Sequence, residues 1–411
     1  MKPEAAVAFS LLSAQEVRER AQRMLILGLD DKLPYFRIEL ERLDNTVDLV
    51  VDTTRRNYPS LAVPFHSRWR HFVFNSEDRW AAIDKAANWR DAAARTRAAF
   101  DLAIVSVLLD ASAGPQWQYC DPVTGRSVGR SEGLALASLD MFRRGVFSSH
   151  PSDPLQADTE GLMRLSEAIV GDGLQVSSSN SLPGMSGRVD LLRRLGTLIA
   201  AKPDVFSRED IPRPGGVFDH LAAMSDEHEI AAATVLSELL HQFGPVWPSR
   251  LTLDGVPLGD CWRHPAIVTP DASSGLVPLH KLSQWLAYSL IEPMQWAGIS
   301  VSDIDGLTGL AEYRNGGLLI DTGVLVLRDT ADAARNHDVA SPLVVEWRAL
   351  TVALLDRLAE SMRSRLKIDR KSMSLAQVLE GGTWSAGRLI ANKLRSDGSP
   401  PVKVVSDGTV F

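Results

Sequence analysis

The sequence predicts an all-α, multi-helical protein with one or two short β-hairpins. Three observations carry that expectation. Apolar residues recur at three- and four-residue steps through most of the chain, the spacing of one helix face. Helix starts are marked chemically, by Ser13 with Glu16 three residues on and by Ser341 followed by Pro342. Strand signals are short, and the one clear hairpin signal is the Asp254-Gly255 turn inside RLTLDGVPL, residues 250–258.

Composition bounds the rest. A length of 411 residues gives a prior of two to three cooperative units at about 150 residues per domain. The expected division is an N-terminal helical region, 1–150, and a C-terminal helical region, 151–411, that carries most of the site. The polar, proline-bearing stretch 151–158 is either that boundary or only a long loop in one compact unit. With 45% hydrophobic and 23% charged residues the chain reads as globular, and a net charge of -7 argues against a broad nucleic-acid footprint. No apolar run approaches eighteen residues and no signal-like leader is present, so a cytoplasmic protein without a membrane span is expected. Cys120 and Cys261 are read as small core residues, and the nine histidines show no ligand spacing, so neither metal nor cofactor is expected.

In chain order, 13–24 and 40–58 read as amphipathic helices, the second ended by Pro59 and Pro64. In VPFHSRWRHF, 63–72, an extended backbone would place His66, Arg68 and Arg70 on one side. That strip either binds a phosphate or carboxylate or is a basic edge packed by Trp69. Residues 80–113 form Ala- and Leu-rich helices, apolar on nearly every side through FDLAIVSVLL, as a core helix is. After turn signals at Asp121-Pro122 and Thr124-Gly125, Ser131 is the expected cap of a helix whose first turn holds Glu132. The Ser/Gly/Pro loop 176–188 ends on Arg188 at a helix start, where it either holds an anion or is solvated.

Four stretches carry unusual chemistry. The run DGLTGLAEYRNGGLLID, 305–321, packs Glu312, Tyr313, Arg314 and Asn315 between glycines that let a backbone approach a ligand; the alternative is a plain glycine-rich connection. Were it helical from Glu312 onward, Asn315 and Gly316 would share the carboxylate's face, with Asp321 closing the run. In the helix before it, Lys281, Gln284 and Tyr288 form a polar stripe that lines a pocket or faces solvent. In SPLVVEWRALTVALLDRL, 341–358, Glu346 and Arg348 lie on different apolar faces, so each needs its own partner, either an ion pair to another element or, for Arg348, a ligand phosphate. The tail 402–411 is expected to pack on the body, with Glu380, Trp384 and Asp407 near the pocket.

The strings VPFHSRWRHF, RSEGLALASLDMF, HKLSQWLAYSLIEP, DGLTGLAEYRNGG, VVEWRALTVALLD and SDGTVF resemble those of the bacterial and fungal uracil-catabolism (URC pathway) family, long catalogued as a domain of unknown function. The resemblance runs nearly end to end. In that pathway uracil is thought to become a ribosyl nucleotide, to have its ring opened and to release urea, which implies cleavage of a ribosylurea phosphate at its N-glycosidic bond. A more distant similarity is to the queuosine-salvage nucleotide N-glycosidases. These have a Lys-x-x-Gln helix, an Asp-Tyr-Arg triplet and a Glu-x-Arg helix, matched in order by Lys281 and Gln284, Glu312-Tyr313-Arg314, and Glu346 and Arg348. It implies a DNA-glycosylase-like helical arrangement in the second half. The departures, Glu312 for Asp and Asn315-Gly316-Gly317 for Val-Pro-Gln, suit a leaving group smaller than a purine-like base.

The resemblances imply an N-glycosidase with Glu312 as the catalytic carboxylate. Lys281 and Arg348, helped by Arg188 or Arg68, would hold the phosphate, and Glu346 or Asp321 would orient ribose hydroxyls or a cation. Gln284, Tyr288, Tyr313, Arg314, Asn315, His66 and Arg70 complete the expected site. Its partner is a small ribosyl nucleotide-type substrate, and association with other uracil-catabolism enzymes is a further expectation. The alternatives are a non-catalytic nucleotide-binding or complex-forming partner of the ring-opening enzyme, and an amidohydrolase acting on a ureido nucleotide.

Overall fold

Helix Pro342–Leu366 is buried without a break from residue 343 to 355, which happens only to a helix enclosed by others on every side. It starts as its sequence dictates, with the Ser341 hydroxyl accepting the Val344 amide and Pro342 in the first turn. The computed structural model describes residues 3–111, 113–114, 116–207, 211–247 and 251–405, with side chains from residue 5. Of these, the residues within Met1–His66, Ser249–Gln284 and Asp303–Val405 form one unit, and those within Ser67–Pro248 and Trp285–Ser302 form the other.

In the first unit, helices Ala14–Leu29, Leu43–Asn57 and Tyr313–Asp321 pack on Pro342–Leu366. Ser13 caps Ala14–Leu29 by accepting the Glu16 amide at 3.2 Å. Glycine sets how closely the helices cross: a Cβ on Gly316 would lie 2.7 Å from Trp347 Nε1 and 2.9 Å from Thr351 Oγ1. Gly316 and Gly317 therefore sit inside a helix, and at Gly316 the missing side chain admits Trp347 rather than a ligand. The glycine-rich stretch near the C-terminus is also helical, as a π-helical turn Leu379–Thr383 running into Trp384–Leu394. Asp254 and Gly255, at φ 46° and 78°, make the expected hairpin turn between Thr252–Leu253 and Val256–Pro257. Val402 is buried and Lys403–Val405 pairs in parallel with Asn336–Asp338; Asp407 and the rest of the tail lie outside the described residues.

In the second unit, Ala92–Leu109 is the enclosed helix, buried from residue 98 to 109. Its Asp101 is wholly buried and paired with Arg213 at 2.5 Å, while the amides of Ala157 and Gly215 donate to it. Burial raises this carboxyl's pKa despite the arginine and those amides. The stretch 151–158 lies within this unit, with Gln156, Ala157 and Asp158 buried, so it is no boundary. The units are discontinuous and do not divide at residue 150, because helices distant in sequence complete each core. Helix Arg130–Arg143 is preceded by Gly129; Ser131 lies inside its first turn and donates instead to Asp110. Cys120 is exposed and Cys261 buried, so only the second is a core residue.

The chain is mostly helical, its strands short and paired two by two among the described residues. No described helix is long and apolar enough to cross a membrane. The packing at Gly316 predicts that Gly316→Val overpacks the contact with Trp347 and destabilises the protein by about 1–3 kcal/mol. Urea unfolding should show a lower midpoint at unchanged slope.

Candidate functional site

The site is built on the first turn of helix Tyr313–Asp321, and Glu312 is its N-cap rather than its first helical residue. One carboxylate oxygen accepts the Asn315 amide at 2.6 Å and the other accepts the Arg314 amide at 2.8 Å. The carboxylate therefore points back over its own helix start, where the dipole favours negative charge. Glu312 is only 8% exposed. Burial raises its pKa above the ordinary carboxylate value, opposed by those two amides and by the charges of Lys281 and Arg314.

Beneath Glu312 lies a buried ion pair whose acidic member, Asp260, the sequence does not single out. Arg348 NH1 and NH2 donate to the two oxygens of Asp260, each at 2.8 Å, and Arg348 Nε donates to the Ala311 carbonyl at 3.2 Å. Trp262 Nε1 and the Lys281 amide also donate to Asp260, at 2.6 and 2.9 Å. Burial pushes the Asp260 carboxyl up, but Arg348 and these donors outweigh it and hold it down at about 2. Of the two partners expected for Arg348, an ion pair to another element or a ligand phosphate, Asp260 supplies the first. The only hint of it is that Arg348, on an apolar helix, requires an acid.

Gln284 is fully buried and fixes the approach to Glu312: its Nε2 donates to Thr308 Oγ1 at 2.6 Å and its Oε1 accepts the Thr308 amide at 2.8 Å. It fastens the backbone rather than facing an open pocket. Arg18 secures the same segment from another helix, donating to the carbonyls of Asp305, Gly306 and Leu307. Arg314 donates to the Gly398 carbonyl and lies 5.0 Å from the centroid of the half-buried Tyr313 ring. The structure thus brings Lys281, Glu312, Tyr313, Arg314, Asn315 and Arg348 together in one unit. Around them three buried polar atoms have no hydrogen-bond partner among the described residues: Arg314 Nε, Asn315 Oδ1 and Trp347 Nε1. Such atoms are costly to leave unmatched, and a cluster of them marks a place for a bound polar molecule or ordered water.

Other expected site residues are engaged elsewhere. Glu346 is fully buried, with Oε1 accepting the amides of Tyr35 and Phe36 and Oε2 facing His264 Nε2 at 3.2 Å. Asp321 is held by Arg395 in a two-pronged pair at 2.5 and 2.8 Å. His66 binds Glu380 at 2.8 Å in the first unit. The extended strip does not form: residues Arg68–Phe72 are a 3-10 helix in the second unit. There Arg68, wholly buried, pairs with Asp110 at 3.1 Å and donates to Ser106 Oγ at 2.7 Å, and Arg70 pairs with Glu292 at 2.6 Å. Arg188 donates to the carbonyls of Leu109, Ala111 and Pro183, closing the end of Ala92–Leu109; burial lowers it to about 10. Tyr288 is buried in the second unit.

A groove of about 350 Å³ on the first unit is lined by Arg18, Asp305, Asp356, Arg357, Glu360 and Arg363, among others, and by none of the expected site residues. Among the described residues no three His, Cys, Asp or Glu side chains are grouped to hold a metal ion.

Residues 10–411 match the family described as a protein of unknown function, DUF1688. The chain is 38% identical to Protein urg3 of Schizosaccharomyces pombe, covering 98% of each chain. It is 34% identical to Uracil catabolism protein 4 of Lachancea kluyveri, covering 97% of this chain and 98% of that one.

The Arg348–Asp260 pair sets two expected outcomes. Arg348→Met strands a buried carboxylate and should cost about 3–5 kcal/mol in denaturant unfolding. Because the folded Asp260 carboxyl sits near 2 against an unfolded value of about 3.9, its stabilising share is fully present above pH ~4 and is lost as pH falls toward 2. Stability of the wild type measured from pH 5 to 2 should carry that decline, and Asp260→Asn should lack it.

Proposed function

The chain belongs to this DUF1688 family, and from that premise we propose that it acts in uracil catabolism as an N-glycosidase, hydrolysing a ribosylurea 5-phosphate to urea and ribose phosphate. Two relatives alike over nearly the whole chain, one of them named for uracil catabolism, support the pathway. The observation that carries the chemistry is the buried Glu312 carboxylate, fixed by the amides of Arg314 and Asn315, two residues whose side chains each keep an unmatched buried atom.

Breaking an N-glycosidic bond builds positive charge on the sugar. A carboxylate held rigidly in a site of low dielectric stabilises that charge without reorganising. Glu312 meets this need because hydrogen bonds from two backbone amides hold both its oxygens and solvent barely reaches it. The anomeric carbon–nitrogen bond breaks, water oxygen adds to the carbon, and one water proton ends on the departing nitrogen. Lys281, whose charge acts on Glu312, faces the anionic end of the substrate. Asn315 Oδ1 and Arg314 Nε offer an acceptor and a donor to a urea group or ribose hydroxyl. Arg348 acts indirectly, holding the Ala311 carbonyl and so the start of the Glu312 turn.

One observation favours a second reading. Both Glu312 oxygens already serve the helix start, as they would in a purely structural cap, and a nucleotide-binding partner protein would need no more. The two readings part on Glu312→Gln, which retains shape and removes charge. If the carboxylate meets developing charge, single-turnover release of urea from synthetic ribosylurea 5-phosphate should fall by about 10²–10³. Calorimetric affinity for a non-hydrolysable analogue should change little. Cleavage at the wild-type rate would make Glu312 structural; binding without cleavage by the wild type would make the protein a binding partner.

A further inference from the structure

The groove on the first unit takes no part in the Glu312 cluster, and its volume of about 350 Å³ suits a small ligand. Arg18, Arg357, Arg363 and Arg370 line it against Asp305, Asp356 and Glu360. Positive charge is therefore in excess there, in a chain whose net charge is -7.

The four arginines are not equally engaged. Arg18 donates through Nε to Asp356 at 2.9 Å and through NH2 to the Asp305 and Leu307 carbonyls. Arg363, 4% exposed, donates to Asp305 at 2.5 Å, to Glu360 at 3.0 Å and to the Met373 carbonyl at 2.8 Å. Arg370 turns to Glu360 as well, its Nε reaching the same oxygen, Oε1, at 2.8 Å. One carboxylate oxygen thus answers two guanidinium groups. Arg357 makes no hydrogen bond or ion pair with any described residue, although Glu360 is its neighbour three residues along the same helix face.

A half-buried guanidinium on the wall of a groove, with no partner among the described residues, has its donors free for an anion. Arg370 is the second group that can be recruited. Its side chain is 65% exposed and that of Glu360 52%, and a pair so open to water is weakly held. The same wall already receives anionic oxygens: Asp305 sets one on Arg363 NH2 and the other on the Leu375 amide, each at 2.5 Å.

We infer that this groove binds a phosphate-bearing small molecule, with Arg357 as its principal contact and Arg370 turning from Glu360 as the second. Two guanidinium forks match the charge and the oxygen spacing of a phosphate, whereas a single carboxylate would leave one of them unanswered. The remaining volume admits a small polyol or sugar attached to the phosphate. None of the residues expected at the Glu312 site lines the groove, so the inference stands apart from the N-glycosidase reading.

The experiment is calorimetric titration of the full chain at low salt with inorganic phosphate and glycerol 3-phosphate, with glycerol and glycerate as controls. Both phosphates should bind, glycerate more weakly and glycerol not at all; tighter binding of glycerol 3-phosphate than of inorganic phosphate would show that the attached group is also held. Arg357→Ala should weaken binding about tenfold or more, the scale of one charge-assisted contact. Arg370→Ala should weaken it less, and Glu360→Gln should strengthen it by releasing Arg370. Lys281→Ala and Glu312→Gln, both at the other site, should bind as the wild type does. The inference is overturned if neither phosphate binds the wild type at about 10 mM, or if glycerol or glycerate binds as tightly. It is equally overturned if folded Arg357→Ala keeps wild-type affinity, or if Arg56→Ala, an exposed arginine outside the groove, loses as much. Loss of binding in Lys281→Ala would place the phosphate at the Glu312 site instead and would also overturn it.

Discussion

The first unit depends on one buried pair, Arg348 with Asp260. Both are nearly inaccessible, and a charge placed there alone would be prohibitive. Together, with Trp262 Nε1 and the Lys281 amide filling the remaining acceptor positions, they form a closed set of charge-assisted bonds. The set draws four distant pieces to one point: the strand start at 260–262, the beginning of Lys281–Trp296, the backbone at Ala311, and the enclosed helix Pro342–Leu366. Glu312 follows Ala311 directly, so its position is inherited from this pair. Geometry at a reacting centre matters at the scale of an ångström, and a buried two-pronged bridge is a stiff way to set it.

Several of the chain's buried and half-buried arginines serve the fold rather than a ligand. Arg68, Arg188 and Arg213 each answer a carbonyl or carboxylate that the folding of the second unit leaves buried, and Arg395 answers Asp321 in the first. Near Glu312 some buried polar atoms are left unmatched. Arg314 Nε and Asn315 Oδ1 belong to the two residues whose amides hold Glu312, and Trp347 Nε1 packs against Gly316.

Glu312 combines two roles that pull its proton affinity in opposite directions. Burial favours the neutral acid; two amide donors and the nearby cations favour the anion. A carboxylate balanced in this way is held in place by the helix and is still ready to respond to positive charge arriving beside it.

The sequence by itself determined the helical class, the Ser13 and Ser341 caps, the core helix at 100–109, the apolar faces of the helix at 341–358, and the Asp254-Gly255 hairpin. These are local: a cap needs only its own first turn, and an apolar stripe repeats with the helix. It also placed Lys281, Glu312 and Arg348 in one neighbourhood through family resemblance, and showed that Glu346 and Arg348 each require a partner. Tertiary structure decided who those partners are. Asp260 lies 88 residues from Arg348, and nothing local distinguishes it from the chain's other acids. The strip His66, Arg68 and Arg70 was misread for the same reason. An extended backbone is the default for an isolated peptide after proline, but here the segment is a 3-10 helix whose arginines meet acceptors at Ser106, Asp110 and Glu292. The pairing of a charge is set by what folding leaves exposed to it, and that is a property of the packed chain rather than of the residue.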